Sequence, residues 1–139
     1  MLVRFKDQMT PPEGDPPQFT VHGESEEISV LEGDPALAPS EAAFDTNVRV
    51  TGETSFDEDG VIAFGKDGDR VRVTTLGEGT LRPSPEEGIH EGSVIWQIEE
   101  GDGRLAGATG LITSNFRVWM ESGAVTEHQV IALSLREAG

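Results

Sequence analysis

Residues Leu111 to Leu135, LITSNFRVWMESGAVTEHQVIALSL, carry the pattern that decides the fold. In their first part, apolar side chains occupy every second position and are interrupted only at Ser114: Ile112, Phe116, Val118 and Met120. A period of two is typical of a β-strand with one buried face. The second part alternates in the same way, and Ser122-Gly123 between the two parts is typical of a tight turn. The stretch therefore predicts a β-hairpin.

The same alternation recurs outward from this hairpin and predicts further strands. Tight-turn sequences separate several of them, at Asp59-Gly60, Asp67-Gly68 and Gly101-Asp102-Gly103. The predicted strands are Leu2–Phe5, Gln18–His22, Glu27–Leu31, Thr46–Phe56, Val61–Lys66, Asp69–Leu76, Gly88–Glu99, Leu105–Ala108, Leu111–Glu121 and Ala124–Leu135. Because consecutive strands joined by tight turns form a meander, and closure removes exposed edges, we predict an all-β fold: a closed antiparallel β-barrel of about eight strands. A β-sandwich is the alternative.

Glycine and proline, with 17 and 8 copies, leave little room for helices. Residues 9–17 (MTPPEGDPP) predict a proline-rich loop, since each proline removes a backbone donor and fixes φ. A short helix is predicted only at Pro35–Phe44, where Ser40 can cap a final turn. The length of 139 residues suits a single core, so we predict one barrel domain over residues 1–139.

The charge balance excludes several classes of function. With 10 basic and 26 acidic residues the chain has a net charge of −16, which would repel a nucleic acid. The absence of cysteine excludes disulfides, thiolate zinc sites and a cysteine nucleophile. No apolar run approaches the roughly 20 residues of a membrane-spanning helix, and the N-terminus lacks a signal-peptide pattern. We therefore expect a cytoplasmic protein with neither nucleic-acid nor membrane partners.

The polar faces of the predicted strands hold the first candidate residues for function. They are Arg49, Arg72, Glu91, Gln97, Asn115, Arg117 and Glu127. The simplest interpretation is a solvated barrel exterior, with cross-strand ion pairs of ~0.2–1 kcal/mol each. The alternative is that some of these side chains point into the lumen or its mouth and orient a ligand. Strand parity alone does not tell the inner face from the outer one.

Histidines and the charged residues near them are candidates for proton transfer, because imidazole titrates near neutral pH. The candidate catalytic residues are His90, Glu91, Arg117 and His128, and the candidate ligand-binding residues are Trp96, Trp119 and Asn115. The opposing interpretation makes the histidines surface or satisfied core residues and the tryptophans core. His22 and the other two histidines lack the spacing of metal ligands, so we predict no metal site and no cofactor.

The C-terminal part of the chain, from Thr74 to Leu135, resembles the allene oxide cyclase and dirigent group of β-barrels. The resemblance rests on Gly77-Glu78-Gly79-Thr80-Leu81, His90-Glu91-Gly92, the hairpin Gly101-Asp102-Gly103-Arg104-Leu105-Ala106-Gly107-Ala108-Thr109-Gly110, Phe116 and the closing strand with His128. It implies a closed barrel with an apolar lumen, a homodimer or homotrimer, and in some members cyclisation without a cofactor. The catalytic residues of the characterised cyclases match no motif here.

These observations lead to three functional hypotheses. The first is a barrel that binds an apolar small molecule, with cofactor-independent cyclase or isomerase activity as its catalytic form. The second is a structural or interaction barrel with a packed lumen. The third is a metal-dependent cupin-like enzyme, whose H-x-H…E…H pattern the sequence lacks. A lumen cavity of about 300 Å³ or more would favour the first hypothesis, whereas a lumen filled by Phe116, Val118, Ile131 and Leu133 would exclude it.

Overall fold

The computed structural model describes residues 1–33 and 39–135, and most of them lie in β-strands. The strands are β1 (Leu2–Met9), β2 (Gln18–Ser29), β3 (Ala42–Val50), β4 (Ser55–Phe64), β5 (Arg70–Thr75), β6 (Gly79–Pro83), β7 (Ile89–Asp102), β8 (Ala108–Trp119) and β9 (Ala124–Leu135). A 3₁₀ turn at Gly103–Leu105 joins β7 to β8. Within these described residues, no helix has the length and apolar character needed to cross a membrane.

The strands form a closed ring in which the first strand pairs with the last. β1 lies between β2 and β9, and the ring continues in chain order through β3, β4, β5, β7 and β8. β6 shares a place in the ring with β5, because both pair with β4 on one side and with β7 on the other. The ring therefore has eight places, all with antiparallel pairing in the described residues. This confirms the predicted closed barrel and excludes the sandwich.

β5 and β6 are two parts of one interrupted strand. Between them, residues 76–78 leave the ladder, and β4 loses its backbone partner next to Glu58. The Thr75 hydroxyl accepts a hydrogen bond from the Glu58 N–H at 2.7 Å and donates one to the Glu58 carbonyl at 2.8 Å. An unpaired buried backbone group is costly in free energy. These two hydrogen bonds therefore stabilise β4 at Glu58, where it lacks a partner strand on the side of β5 and β6.

The core fills one half of the lumen. Its centre consists of Phe5, Phe44 and Trp96, whose rings meet edge to face with centroids 4.9 Å and 5.5 Å apart. Buried aliphatic side chains surround these rings: Val3, Ile62, Val71, Val73, Ile98, Ile112 and Ile131. We call this region, from the aromatic centre to the end closed by the Gly103–Leu105 turn, the packed half.

An ion pair between the buried Asp69 and the exposed Arg104 connects two loops at the end of the packed half. Asp69 precedes β5, and its carboxylate accepts hydrogen bonds from the Arg104 backbone N–H at 2.9 Å and from Arg104 Nε at 2.8 Å. These hydrogen bonds lower the pKa of Asp69 below its ordinary value. The contact fixes the 3₁₀ turn against the loop between β4 and β5.

The pair Asp59-Gly60, which the sequence analysis interprets as a turn, lies inside β4. A Cβ atom at residue 60 would lie 2.1 Å from the Asp45 carbonyl oxygen of β3, so glycine here permits a close approach of two strands. The chain turns at residues 51–54 instead, where the N–H groups of Thr51 and Gly52 both donate to the Ser55 carbonyl. The predicted strand boundaries in this region are therefore wrong.

The other predicted turns and strand boundaries differ less from those of the structure. The turns at Asp67-Gly68 and Ser122-Gly123 are confirmed. The predicted strand Leu105–Ala108 is wrong, because positive φ angles of 67° and 82° at Gly103 and Gly107 turn the chain there, and only Ala108 enters β8. Part of the predicted helix Pro35–Phe44 lies outside the described residues. Its last residues belong to β3, where Ala42 and Phe44 point inward with the period of a strand.

Candidate functional site

The other half of the barrel, which we call the hollow half, encloses a cavity of about 390 Å³. The cavity lies at the end where β1 finishes at Met9 and β2 begins at Gln18. Its wall is mainly apolar and includes Phe19, Val21, Val48, Phe56, Phe116, Val118 and Val125. Loop residues form its rim: Pro12, Pro17, Gly52, Glu53 and Thr54. The volume lies within the range of about 300–1,000 Å³ that is usual for small-molecule sites.

On β3 the inward side chains become smaller from the packed half to the hollow half. The packed half places Phe44 and Ile62 at inward positions of β3 and β4, whereas β3 continues with Val48 and Val50 along the cavity. Of the four residues whose packing would exclude ligand binding, Phe116 and Val118 line the cavity, whereas Ile131 belongs to the core and Leu133 packs against it. The lumen is therefore close-packed over one half only.

Three carboxyl groups form the inner end of the cavity, next to the aromatic centre. They are Asp7 of β1, Glu58 of β4 and Glu127 of β9, and we call them the carboxyl floor. Their relative exposures are 4%, 6% and 5%, respectively. Burial disfavours the charged form of a carboxyl group that lacks a positive partner. The surroundings of each group therefore determine its protonation state.

Glu58 is held by two side-chain hydrogen bonds. The Thr46 hydroxyl donates to Oε2 at 2.5 Å, and the Trp96 indole N–H donates to Oε1 at 3.2 Å. Burial raises the pKa of Glu58 to about 7, and the two hydrogen bonds oppose this rise because they favour the carboxylate. Trp96 is thus a core residue that also orients one member of the carboxyl floor.

Glu127 is held by its neighbour on the same face of β9. The side-chain amide of the fully buried Gln129 donates a hydrogen bond to Glu127 Oε2 at 2.6 Å. Burial, followed by the negative charges of Asp7 and Glu58, raises the pKa of Glu127 well above its ordinary value. The protonated form of Glu127 is therefore favoured in the empty cavity.

Asp7 differs from the other two because neither of its buried carboxyl oxygens has a hydrogen-bond partner in the described part of the chain. Burial raises the pKa of Asp7 to about 8; the charge of Glu58 adds to the rise and that of His22 opposes it. Gly23 of β2 makes room for this carboxyl group. A Cβ at residue 23 would lie 2.5 Å from Asp7 Oδ1 and 2.3 Å from the Phe44 ring.

His90 is the one residue among the seven predicted site residues that lines the cavity. It lies near the start of β7, is half-buried, and its buried Nδ1 has no hydrogen-bond partner among the described residues. The cavity therefore contains an imidazole as well as three carboxyl groups, which are the side-chain types of general acid–base chemistry.

Four other predicted site residues lie together on the outside of the barrel. They line an outer groove across β6 to β9: Glu91, Asn115, Arg117 and His128. Neighbouring residues of a strand point to opposite faces, so an inward His90 places Glu91 outward. Arg117 pairs with Glu86 at 2.9 Å, and its guanidinium lies 5.7 Å from the centre of the Trp119 ring on the outer face. The structure thus divides the predicted catalytic set between two faces of the sheet.

Asp7 and Glu58 of the carboxyl floor are not among the candidates of the sequence analysis, which includes Glu127 only as one of the polar-face residues that lie outside or orient a ligand. Placing Glu127 on the polar exterior is wrong, because Glu127 shares its parity with Val125 and Ile131 and points inward with them. The signal was available at all three positions. Each floor residue is an acid in the apolar register of its strand: Asp7 after Val3 and Phe5, Glu58 between Phe56 and Ile62, and Glu127 after Val125.

The three histidines do not converge. His22 lies on the outside of β2, with Nδ1 2.7 Å from Asp45 Oδ1, while His90 faces the cavity and His128 the outer groove. Across residues 1–33 and 39–135, no group of three or more histidine, aspartate or glutamate side chains is arranged to hold a metal ion.

Comparison with protein-family models, with curated proteins and with solved structures finds no match for this chain. The resemblance to the allene oxide cyclase and dirigent group therefore stays a prediction, and the closed barrel itself rests on the structure.

Proposed function

We propose that this protein is a small-molecule-binding β-barrel whose ligand occupies the cavity above the carboxyl floor. The observation that supports the proposal is the cavity of about 390 Å³ in a lumen that is otherwise close-packed. Protein interiors are close-packed and leave few spaces larger than a water molecule. A cavity of this volume in the lumen therefore does not contribute to the stability of the fold. A ligand that replaced the missing contacts would be stabilised by burial of its apolar surface.

The closed ring favours a preformed site. Wall residues such as Val48, Val118 and Val125 belong to strands that are paired on both sides, so the cavity does not depend on a loop for its shape. A site that is already formed before binding avoids part of the entropic cost of ordering its side chains and loops when the ligand binds. The loops that carry Pro12 and Glu53 form the rim through which a ligand would enter.

Titration with N-phenyl-1-naphthylamine, an uncharged fluorophore that brightens in apolar surroundings, tests the proposal. We expect a saturable rise in emission with the unmodified protein. Val125→Phe, which fills the cavity from β9, should abolish it, whereas Val130→Phe, which adds the same ring to the exposed face of that strand, should not.

Val50→Phe fills the cavity from the end of β3, at a half-buried position, and serves if Val125→Phe fails to fold. Circular dichroism checks the fold of each variant. No saturable response in the unmodified protein, or equal responses with the inner and outer variants, would contradict the proposal.

A second candidate function is cofactor-independent isomerisation by proton transfer. It is supported by His90 and the carboxyl floor, which line one cavity, and by burial, which raises the pKa of Glu58 to about 7 and that of Asp7 to about 8. Proton transfer is most efficient when the pKa of the catalytic group lies near the working pH. Protein-dependent conversion of 3-cyclohexenone to 2-cyclohexenone, lost in Asp7→Asn, would support it; equal rates with and without protein would count against it.

Two further expectations remain part of this proposal. The cytoplasmic location and the assembly into a homodimer or homotrimer are predictions from the sequence. Sedimentation of the purified protein measures the second.

A further inference from the structure

We infer that the cavity is selective for a cationic amine, a small molecule with one ammonium group on an apolar body. The inference rests on the proposed ligand site and deepens it. Three buried carboxyl groups form the inner end of the cavity, and among residues 1–33 and 39–135 none that lines the cavity is lysine or arginine. At this inner end an anionic ligand would therefore meet like charges or neutral acids, and His90 is the one basic side chain elsewhere in the described lining.

Asp7 supplies the observation that points to a ligand rather than to a merely structural cluster. Its side chain is 4% exposed, it lines the cavity, and both of its oxygens are buried without a hydrogen-bond partner in the described part of the chain. Buried polar atoms are nearly always satisfied, so two free acceptors on one side chain indicate a missing donor. Glu58 and Glu127, in contrast, are already held by Thr46, Trp96 and Gln129.

An ammonium group fits the two unpartnered oxygens of Asp7 better than the other donors do. It carries three N–H donors and a positive charge, and a buried carboxylate is stable only with a positive partner. Phe19, Phe56 and Phe116 line the same cavity and offer apolar contact to the body of the ligand. A divalent cation fits less well, because both oxygens of Glu58 already accept hydrogen bonds and the floor lacks a metal-binding arrangement among the described residues.

The exterior of the protein supports the same selectivity. The chain has a net charge of −16, and such a surface raises the local concentration of cations and speeds their encounter with the mouth. Glu53 lies at the rim itself. The long-range electrostatic attraction of the surface and the carboxyl floor of the cavity therefore both favour a positively charged ligand.

The groups that face Asp7 determine how binding depends on pH. Glu58 of β4 and Glu127 of β9 lie with it at the inner end, His90 of β7 lines the same cavity, and His22 of β2 acts on it from the outer face. In the empty cavity burial raises the pKa of Asp7 to about 8, so the group is mainly protonated at pH 7. An ammonium group requires the carboxylate, so its binding releases a proton and tightens as the pH rises.

Three naphthalenes of similar shape test the inference: 1-naphthylmethylamine, 1-naphthalenemethanol and 1-naphthoic acid. We expect the amine to bind the unmodified protein most tightly, with an affinity that rises up to about tenfold per pH unit between about pH 6 and about pH 8. The alcohol should show little pH dependence. Calorimetry in two buffers of different ionisation enthalpy should detect the released proton.

Two variants that each remove one negative charge distinguish direct recognition by Asp7 from the effect of the overall charge of the protein. Asp7→Asn should weaken binding of the amine about ten- to a hundredfold, since it removes one charge-assisted contact, and should weaken binding of the alcohol much less. Asp102→Asn removes the same charge from the exposed end of β7, away from the cavity, and should leave both affinities unchanged.

The possible failures are distinguishable. If none of the three naphthalenes binds at any pH, the proposed ligand site is wrong. If the alcohol or the acid binds at least as tightly as the amine, if amine affinity is independent of pH, or if calcium ions displace the amine, the selectivity for an amine is wrong while the ligand site stands.

Discussion

The packed half and the hollow half of this barrel are built from the same strands. β3 passes from Phe44 in the packed half to Val48 in the hollow half, and β1 passes from Phe5 to Asp7. Backbone pairing continues through both halves, so the ring of hydrogen bonds closes the barrel without deciding whether its lumen is full. The comparison shows that one closed ring of strands can hold both a packed region and a cavity, so the fold class alone does not determine whether the lumen is filled.

The largest difference between the halves should appear when aromatic side chains are truncated. Phe44→Ala removes a fully buried ring from between Phe5 and Trp96 and should lower the free energy of unfolding by about 3–5 kcal/mol. Phe19→Ala, at the half-buried wall of the cavity, should cost about 1 kcal/mol because part of that ring is already without packed neighbours. Urea denaturation measures both, and equal losses would contradict the division into halves.

A smaller effect is expected at the boundary, where Glu58 should make stability depend on pH. The folded protein raises the pKa of Glu58 from 4.5 to about 7, so it retains a proton that the unfolded chain releases between those values. The stability from this group is present below about pH 4.5 and falls as the pH rises towards about 7, by about 3 kcal/mol.

Glu58→Gln should remove this part of the pH dependence, because the neutral amide can accept from Trp96 and donate to Thr46. Thermal unfolding from about pH 5 to about pH 8 measures the slope. Glu100→Gln, which alters an exposed acid on the outside of β7, is the control and should leave the slope unchanged. An unchanged slope in Glu58→Gln would mean that the group is charged in the folded protein.

The smallest effect is expected on the outside of the barrel, which belongs to neither half. Arg72 Nη1 lies 2.8 Å from Glu100 Oε1, and the two side chains are 65% and 61% exposed. Arg72→Ala should change the free energy of unfolding by only about 0–1 kcal/mol and leave fluorophore binding intact, since solvent screens an exposed pair. A loss above that range would show that the outer charge pairs contribute to the fold.

Alternation along the strands was sufficient to predict the closed barrel, because a period of two and tight turns such as Ser122-Gly123 are local properties of the sequence. The site was harder to predict. The sequence analysis groups His90 with Glu91, but His90 lines the cavity and Glu91 the outer groove, because adjacent residues of a strand face opposite ways. The alternation along β1 shows that Asp7 and Phe5 share a face. It does not show that Gly23 leaves room for the Asp7 carboxyl group, because Gly23 lies on the neighbouring strand β2.

The pairing of the first strand with the last has a consequence for the order in which the protein folds. Phe5 pairs with Glu127 across β1 and β9, so the ring closes only when segments far apart in the sequence have met. Contacts of such separation form slowly, because the entropy of loop closure must be overcome first. Asp7, Glu58 and Glu127 come from the first, fourth and last strands. We therefore expect the carboxyl floor to be complete only after β1 has paired with β9.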